Sequence, residues 1–114
     1  MPRDPRLYLD DILEAIQQIR LYTEGYTEQT FYSDRKTQDA VIRNLEIICE
    51  AAGNLPDDIR NTALDIEWRK IIGLRNILAH QYFGISLPIV WDIVHNKLEA
   101  LETGCQSIMK HLGN

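Results

Sequence analysis

Apolar residues recur at helical spacing along almost the whole chain. Leu9, Ile12, Leu13, Ile16 and Ile19 return every three or four residues, with Asp10, Asp11, Glu14, Gln17 and Gln18 covering the other side. That pattern predicts an amphipathic helix. Asp4-Pro5 marks its start, with Asp as N-cap and Pro at the first helical position, and Gly25 is a natural stop. Residues 26–33, YTEQTFYS, read as a polar-aromatic connection with room for a short helical turn. Ser33 or Asp34 caps the next helix, which runs to about Gly53 on a stripe of Val41, Leu45, Ile48 and Ala52, flanked by Ile42 and Cys49. Asp39, Arg43, Glu46 and Glu50 lie opposite. They form either a solvated face with an Asp39–Arg43 pair at i,i+4 or the wall of a polar groove. Leu55-Pro56-Asp57 breaks the pattern, and residues 57–66 read as a short helix and a turn.

The last quarter carries the cleanest periodicity. Leu87, Trp91, Val94, Leu98, Leu101, Cys105, Ile108 and Leu112 alternate spacings of four and three, the 3.5-residue repeat of a long straight seam packed along another helix. Ser86 caps this helix, with Pro88 in its first turn. No segment alternates with the period of a strand. The expected fold is therefore all-α: one domain over residues 1–114, an up-and-down bundle of four main helices plus one or two short ones.

Residues 67–84, EWRKIIGLRNILAHQYFG, differ from the rest. Trp68, Ile71, Ile72, Leu74, Ile77, Leu78 and Ala79 fall on nearly every side of a helical wheel, and a helix apolar all round is expected to be buried. Hydrogen-bonding and charged groups in such a helix need partners or a purpose. Arg75, Asn76, His80 and Tyr82 are thus the candidate functional residues.

Composition narrows the reading. No apolar run approaches the roughly 18 to 20 residues of a membrane span, and acids occupy the N-terminus where a signal peptide has its apolar region, so a cytoplasmic location is expected. Cys49 and Cys105 sit inside helical apolar patterns, as buried thiols do, without metal-ligand spacing. The net charge of −5 argues against bulk nucleic-acid binding. It is uneven, however: residues 1–66 hold 13 acids and 7 bases, and residues 67–114 hold 4 acids and 5 bases. A polyanion suits the second part better.

At about 100° per residue, Arg69, Gly73, Asn76 and His80 form one stripe. Gly73 in its middle points first to close helix–helix packing, and otherwise to room for a ligand or a second protomer. Arg75 and Tyr82 share another face. Arg75 and His80 lie about 140° apart on an ideal wheel, so periodicity alone does not bring them together. The reach of Arg75, a loosened turn before Gly84, or a symmetric second copy can do so, and the second copy is preferred. A guanidinium presents a planar fork of donors to phosphate oxygens. An imidazole, with an ordinary pKa of about 6.5, moves protons at neutral pH. Asn76 stands where it can orient the His80 ring. With no metal cluster or Gly-rich phosphate loop in the sequence, the expected chemistry uses no metal or cofactor. His95 and His111 read as surface histidines. Tyr26, Phe31 and Tyr32 read as packing at the edge of the core in preference to a base-stacking surface.

IIGLRNILAHQYFG resembles the HEPN superfamily, and within it the HepT-like branch, the toxin halves of HepT–MntA toxin–antitoxin pairs. The signature there is Arg, four to six residues, His, any residue, Tyr; here it runs Arg75, Asn-Ile-Leu-Ala, His80, Gln81, Tyr82. The flanks DAVIRNLEIICEAA at 39–52, Trp68-Arg69 and LPIVWDIVHNKL at 87–98 are similar to the same branch. The resemblance implies a HEPN-like bundle that forms a homodimer or higher even oligomer, and a metal-independent ribonuclease with its site at the dimer interface, acting on RNA, with tRNA one candidate. It implies Arg75 and His80 as the catalytic pair and Asn76 as the supporting polar residue. It also implies Tyr82 as the acceptor of AMP from a cognate MNT-type nucleotidyltransferase antitoxin, which silences the toxin. The alternative from the same family is a non-catalytic dimeric module that binds and regulates a nucleotidyltransferase.

Overall fold

The computed structural model describes residues 3–63, 65–79 and 86–113. Among them the secondary structure is helical, with no strand. Helix α1 (Pro5–Thr23) starts as expected: the Asp4 side chain accepts from the Arg6 amide, and Pro5 fills the first turn. It ends just before Gly25, whose φ of 78° lies in the left-handed region that glycine enters without penalty. The short α2 (Glu28–Tyr32) occupies the polar-aromatic connection. It is held by a reciprocal capping box between Thr27 and Thr30.

Helix α3 (Arg35–Asn54) is capped by Asp34 rather than Ser33. The Tyr26 hydroxyl and then the Thr37 hydroxyl donate to the same carboxylate and hold Asp34 below the usual carboxylate range. The opposite face of α3 is largely solvated, but Asp39 and Arg43 do not form the expected pair; both are exposed, and the charges are far enough from the core to stay hydrated. After α4 (Asp57–Arg60) the chain turns into α5 (Trp68–Ala79). Trp68 fixes that entry: its indole N–H donates to the carbonyls of Arg60 and Ala63, 3.0 and 3.2 Å away.

The final helical path departs from the predicted straight seam. It runs as α6 (Leu87–Asp92), a π turn (Ile93–Lys97) and α7 (Leu98–Gly113). The wider turn rotates the two halves relative to each other. α6 then packs on α2, where Trp91 meets Phe31, while α7 packs on α1 through Leu98, Leu101, Cys105 and Ile108. Ser86 takes the N-cap position with its carbonyl, which accepts from Ile89 and Val90; its side chain makes no capping bond.

The core lies between α1, α3 and α7, with Leu9, Ile12, Ile16 and Ile19 of α1 fully enclosed. Glu102 of α7 clamps this layer from outside, accepting from Gln17 at 2.6 Å and from Arg20 at 2.7 Å. Both cysteines are buried, and desolvation pushes the Cys49 and Cys105 thiols up to about 11 and about 12, so neither is a reactive thiolate near neutral pH. Among the described residues, four longer helical rods and two short helices form the expected all-α fold. No helix among the described residues is long and apolar enough to cross a membrane.

Helix α5 is the exception to the burial expected of it. It packs on α3, but only Trp68 and Leu78 of its described side chains are buried; Ile71, Ile72 and Leu74 are half-buried, and Ile77 is 49% exposed. A Cβ built on Gly73 meets nothing within 4 Å, so Gly73 does not serve helix–helix packing inside this chain. The reason is geometric: α3 covers one side of α5, and the opposite side faces out.

Among the described glycines, packing requires Gly104. A Cβ there collides with Cδ1 and Cγ1 of Ile66, the residue that seats the loop before α5 on α7. Gly104→Ala is therefore expected to destabilise the chain by about 1–3 kcal/mol in urea unfolding, the usual cost of overpacking; an unchanged midpoint would mean that the loop does not rest on α7.

Candidate functional site

The two faces of α5 set the geometry of the motif. Trp68, Ile71, Arg75 and Leu78 follow spacings of three, four and three, so Arg75 stands on the inward stripe, two turns beyond the buried Trp68 and nearly eclipsed with it. Leu78 is 1% exposed and ties down the end of the helix. Arg75 itself is exposed. It makes no hydrogen bond or ion pair among the described residues, yet its charge is felt by the Cys49 thiol of α3. A cation thus emerges from a core-facing position at the seam between α5 and α3. Glu46, which also acts on the Cys49 thiol, makes no salt bridge with Arg75.

The outward stripe is different. Arg69, Gly73, Asn76 and Ile77 are all exposed on it. An apolar side chain, a bare glycine and two polar groups side by side, with open space above the glycine, make a face that a second surface can approach closely. Asn76 is on this face, turned away from the Arg75 stripe. His80, Gln81 and Tyr82, which follow the helix in sequence, lie outside the described residues, as do Phe83 and Gly84. The structure therefore brings Arg75 to the α3–α5 seam and Asn76 to the open face.

A cavity of about 260 Å³ opens beside this region, between α3, α5 and the start of α7. Leu45, Ile48, Ile71, Leu74 and Leu101 give it apolar walls, and the exposed Asp65, Glu67, Lys70 and Lys97 stand among its lining residues. Lys70 bonds Glu67 at 2.7 Å and, with Lys97 adding a smaller effect, holds that carboxyl below its ordinary range. Arg75 does not line this cavity.

Tyr26, Phe31 and Tyr32 resolve as packing. Phe31 is fully buried. The Tyr26 hydroxyl is committed to Asp34, and the Tyr32 hydroxyl donates to Glu28 at 2.7 Å. Desolvation, with Glu28 beside it, pushes the Tyr32 phenol up to about 12. Sequence reasoning did not single out the stacked pair of Trp91 and His95, with ring planes 15° apart; their i,i+4 spacing was the available signal.

Comparison with known proteins agrees with this helical frame. Residues 12–108 match the model of the family described as Ribonuclease HepT-like. A candidate RNase of Methanocaldococcus jannaschii is 48% identical over 99 residues, covering 86% of this chain and 82% of that one. The probable ribonuclease HepT of Thermococcus cleftensis is 38% identical over 110 residues, 96% of this chain and all of its own length. A second M. jannaschii protein, named as a gamma-glutamylcyclotransferase and candidate RNase, is 39% identical over 98% of this chain; the chain spans only 50% of that relative. The mRNA nuclease HepT of Shewanella oneidensis is 31% identical, covering 79% of this chain and 82% of its own. No solved structure matches the chain.

The lack of an ion pair to Arg75 among the described residues gives a test of its purpose. Arg75→Leu is expected to leave stability unchanged or raise it by about 0.5–2 kcal/mol in urea unfolding, because an apolar side chain suits that stripe and function-bearing positions are seldom optimal for stability. A loss of stability would mark the guanidinium as part of the fold.

Proposed function

The chain belongs to the Ribonuclease HepT-like family, and from that premise we propose that it is an endoribonuclease whose catalytic pair is Arg75 and His80, assembled where two copies meet. The observation that carries this reading is the position of Arg75: an exposed guanidinium on an inward stripe, without an acid partner among the described residues, in the sequence Arg75-Asn-Ile-Leu-Ala-His80-Gln-Tyr82. Such a group is available to a phosphodiester. The relatives named as ribonucleases and as an mRNA nuclease support RNA as the substrate.

The reaction follows from the groups available. The 2′-hydroxyl of RNA attacks the adjacent phosphorus as its proton passes to a base, and the 5′-oxygen leaves with a proton from an acid. Arg75 stabilises the charge that builds on the phosphoryl oxygens. The products are a 2′,3′-cyclic phosphate and a 5′-hydroxyl, and no metal enters any step. One histidine per chain supplies both acid and base when the two copies of His80 face each other across a two-fold axis. The outward face of α5, with exposed Ile77 and open space at Gly73, supports that pairing.

In this reading the protein is the toxin of a toxin–antitoxin pair. A partner nucleotidyltransferase silences it by AMP transfer: the Tyr82 phenol oxygen attacks the α-phosphorus of ATP and pyrophosphate leaves. The added phosphodiester carries negative charge two residues from His80 and repels RNA phosphate. Tyr26 and Tyr32 are poor competing acceptors, because each already donates its hydroxyl to a carboxylate.

Purified protein incubated with total RNA in EDTA should cleave it, and His80→Ala or Arg75→Ala should lower the rate by about 10²-fold or more. Equal cleavage by both variants would remove these residues from the chemistry, and an inert wild type that still binds a nucleotidyltransferase would replace the enzyme with a regulatory module. Ile77→Asp should give a folded monomer by light scattering and lose cleavage; a dimer that persists would move the interface elsewhere. Tyr82→Phe should take up no AMP from ATP and the partner enzyme when followed by intact-mass spectrometry, whereas continued uptake would assign the acceptor to another residue.

A further inference from the structure

The polar face of α3 carries one carboxylate that the catalytic reading does not use. Asp39, Arg43 and Glu50 on that face are exposed, but Glu46 is half-buried. It stands three residues before the buried Cys49, so the two side chains are neighbours on the helix surface. The Cys49 thiol feels the negative charge of Glu46 from its own helix and the positive charge of Arg75 from α5. The carboxylate and the guanidinium therefore flank one thiol, from the two helices that form the α3–α5 seam. Among the described residues Glu46 makes no hydrogen bond and no ion pair, either with Arg75 or with Arg43 on its own helix.

An acid beside that cation has a consequence for any polyanion that reaches the seam. A carboxylate repels phosphate, and partial burial weakens the screening that water and salt provide. Only a ligand group that donates a hydrogen bond offsets the repulsion, because an ionised carboxylate has acceptors and no donor. The DNA backbone brings no such donor. RNA brings the ribose 2′-hydroxyl, the group by which a protein tells the two apart. Arg75 and Glu46 are thus two halves of a receptor for a phosphate with a hydroxyl nearby. The guanidinium draws the charge, and the carboxylate penalises a backbone that lacks the hydroxyl.

We propose that Glu46 is a specificity-determining residue, whose carboxylate accepts a hydrogen bond from a ribose 2′-hydroxyl next to the phosphate held by Arg75. This rests on the ribonuclease reading and adds to it the means by which DNA is refused. The attacking hydroxyl gives its proton to His80 in that reading, so the hydroxyl met by Glu46 belongs to a flanking ribose. Glu46 then acts on binding and takes no proton in the reaction. A contact made alike before and during the reaction shows in KM and not in kcat.

The His80→Ala protein, slowed in cleavage, allows binding to be measured by anisotropy. The probes are a fluorescein-labelled RNA oligonucleotide and its all-deoxy counterpart, with deoxyuridine in place of uridine. The protein should bind the RNA more tightly than the DNA. Adding Glu46→Ala should shrink that preference roughly ten-fold, in line with the loss of one hydrogen bond to a charged group. With His80 intact, Glu46→Ala should raise KM for RNA cleavage and keep kcat within about three-fold of wild type. Circular dichroism should show the variants folded like the parent. A preference that Glu46→Ala leaves unchanged would overturn the proposal, even if both affinities fall together, because that is the mark of a structural role. So would a parent protein that binds the two probes equally, and so would a collapse of kcat, which would put Glu46 in the chemistry. If wild type cleaves RNA while the preference does not move, the role of Glu46 alone falls; if wild type neither cleaves RNA nor binds either probe, the ribonuclease reading falls first.

Discussion

The packing of α5 on α3 is the constraint from which the candidate site follows. Trp68 anchors one end through its buried ring and two hydrogen bonds to the preceding turn, and Leu78 anchors the other. With both ends fixed, the residues between them have no freedom to choose a face. Arg75 must emerge on the side of α3, and Gly73, Asn76 and Ile77 must face outward. A helix held by one neighbour leaves its far side uncovered, and here that side carries Arg69, Gly73, Asn76 and the half-exposed Ile77. Such a helix suits a chain that finishes its packing by association.

The second constraint is electrostatic. A guanidinium on an inward stripe is ordinarily matched by a carboxylate. Here the buried Cys49 thiol beside it stays neutral, and Glu46 makes no bond to it. Arg75 is exposed and stays hydrated without an ion pair among the described residues. The π turn is a second departure from regular structure. It turns the final helical path so that α7 completes the core against α1 while α6 keeps its rings on α2. The polar clamps elsewhere, such as Glu102 between α1 and α7, are satisfied and need no further account.

Much of this frame was legible in the sequence because it depends on local period and local caps. The stripe of α1, the stop at Gly25, the helix from about residue 35 and the break at Pro56 all follow from spacing and turn chemistry. The exposure of α5 was not legible, because a wheel shows how apolar a helix is and not how many neighbours it has. The same limit hid the open space at Gly73. The π turn was missed because a regular 3.5-residue repeat looks the same whether or not the backbone widens beneath it. The separation of Arg75 from the Asn76 stripe, by contrast, follows from the wheel alone and survives in the fold. In the proposed reading the pairing of Arg75 with His80 depends on assembly, which periodicity does not decide.

Dilution measures the central claim most directly. If the RNA-cutting site forms only where two copies meet, the specific cleavage rate of the wild-type chain will fall as the protein is diluted through its dimer dissociation constant, following the dimer fraction measured in parallel by analytical ultracentrifugation. A specific rate that stays constant into the monomeric range would show that one chain carries the whole site, and would contradict the account.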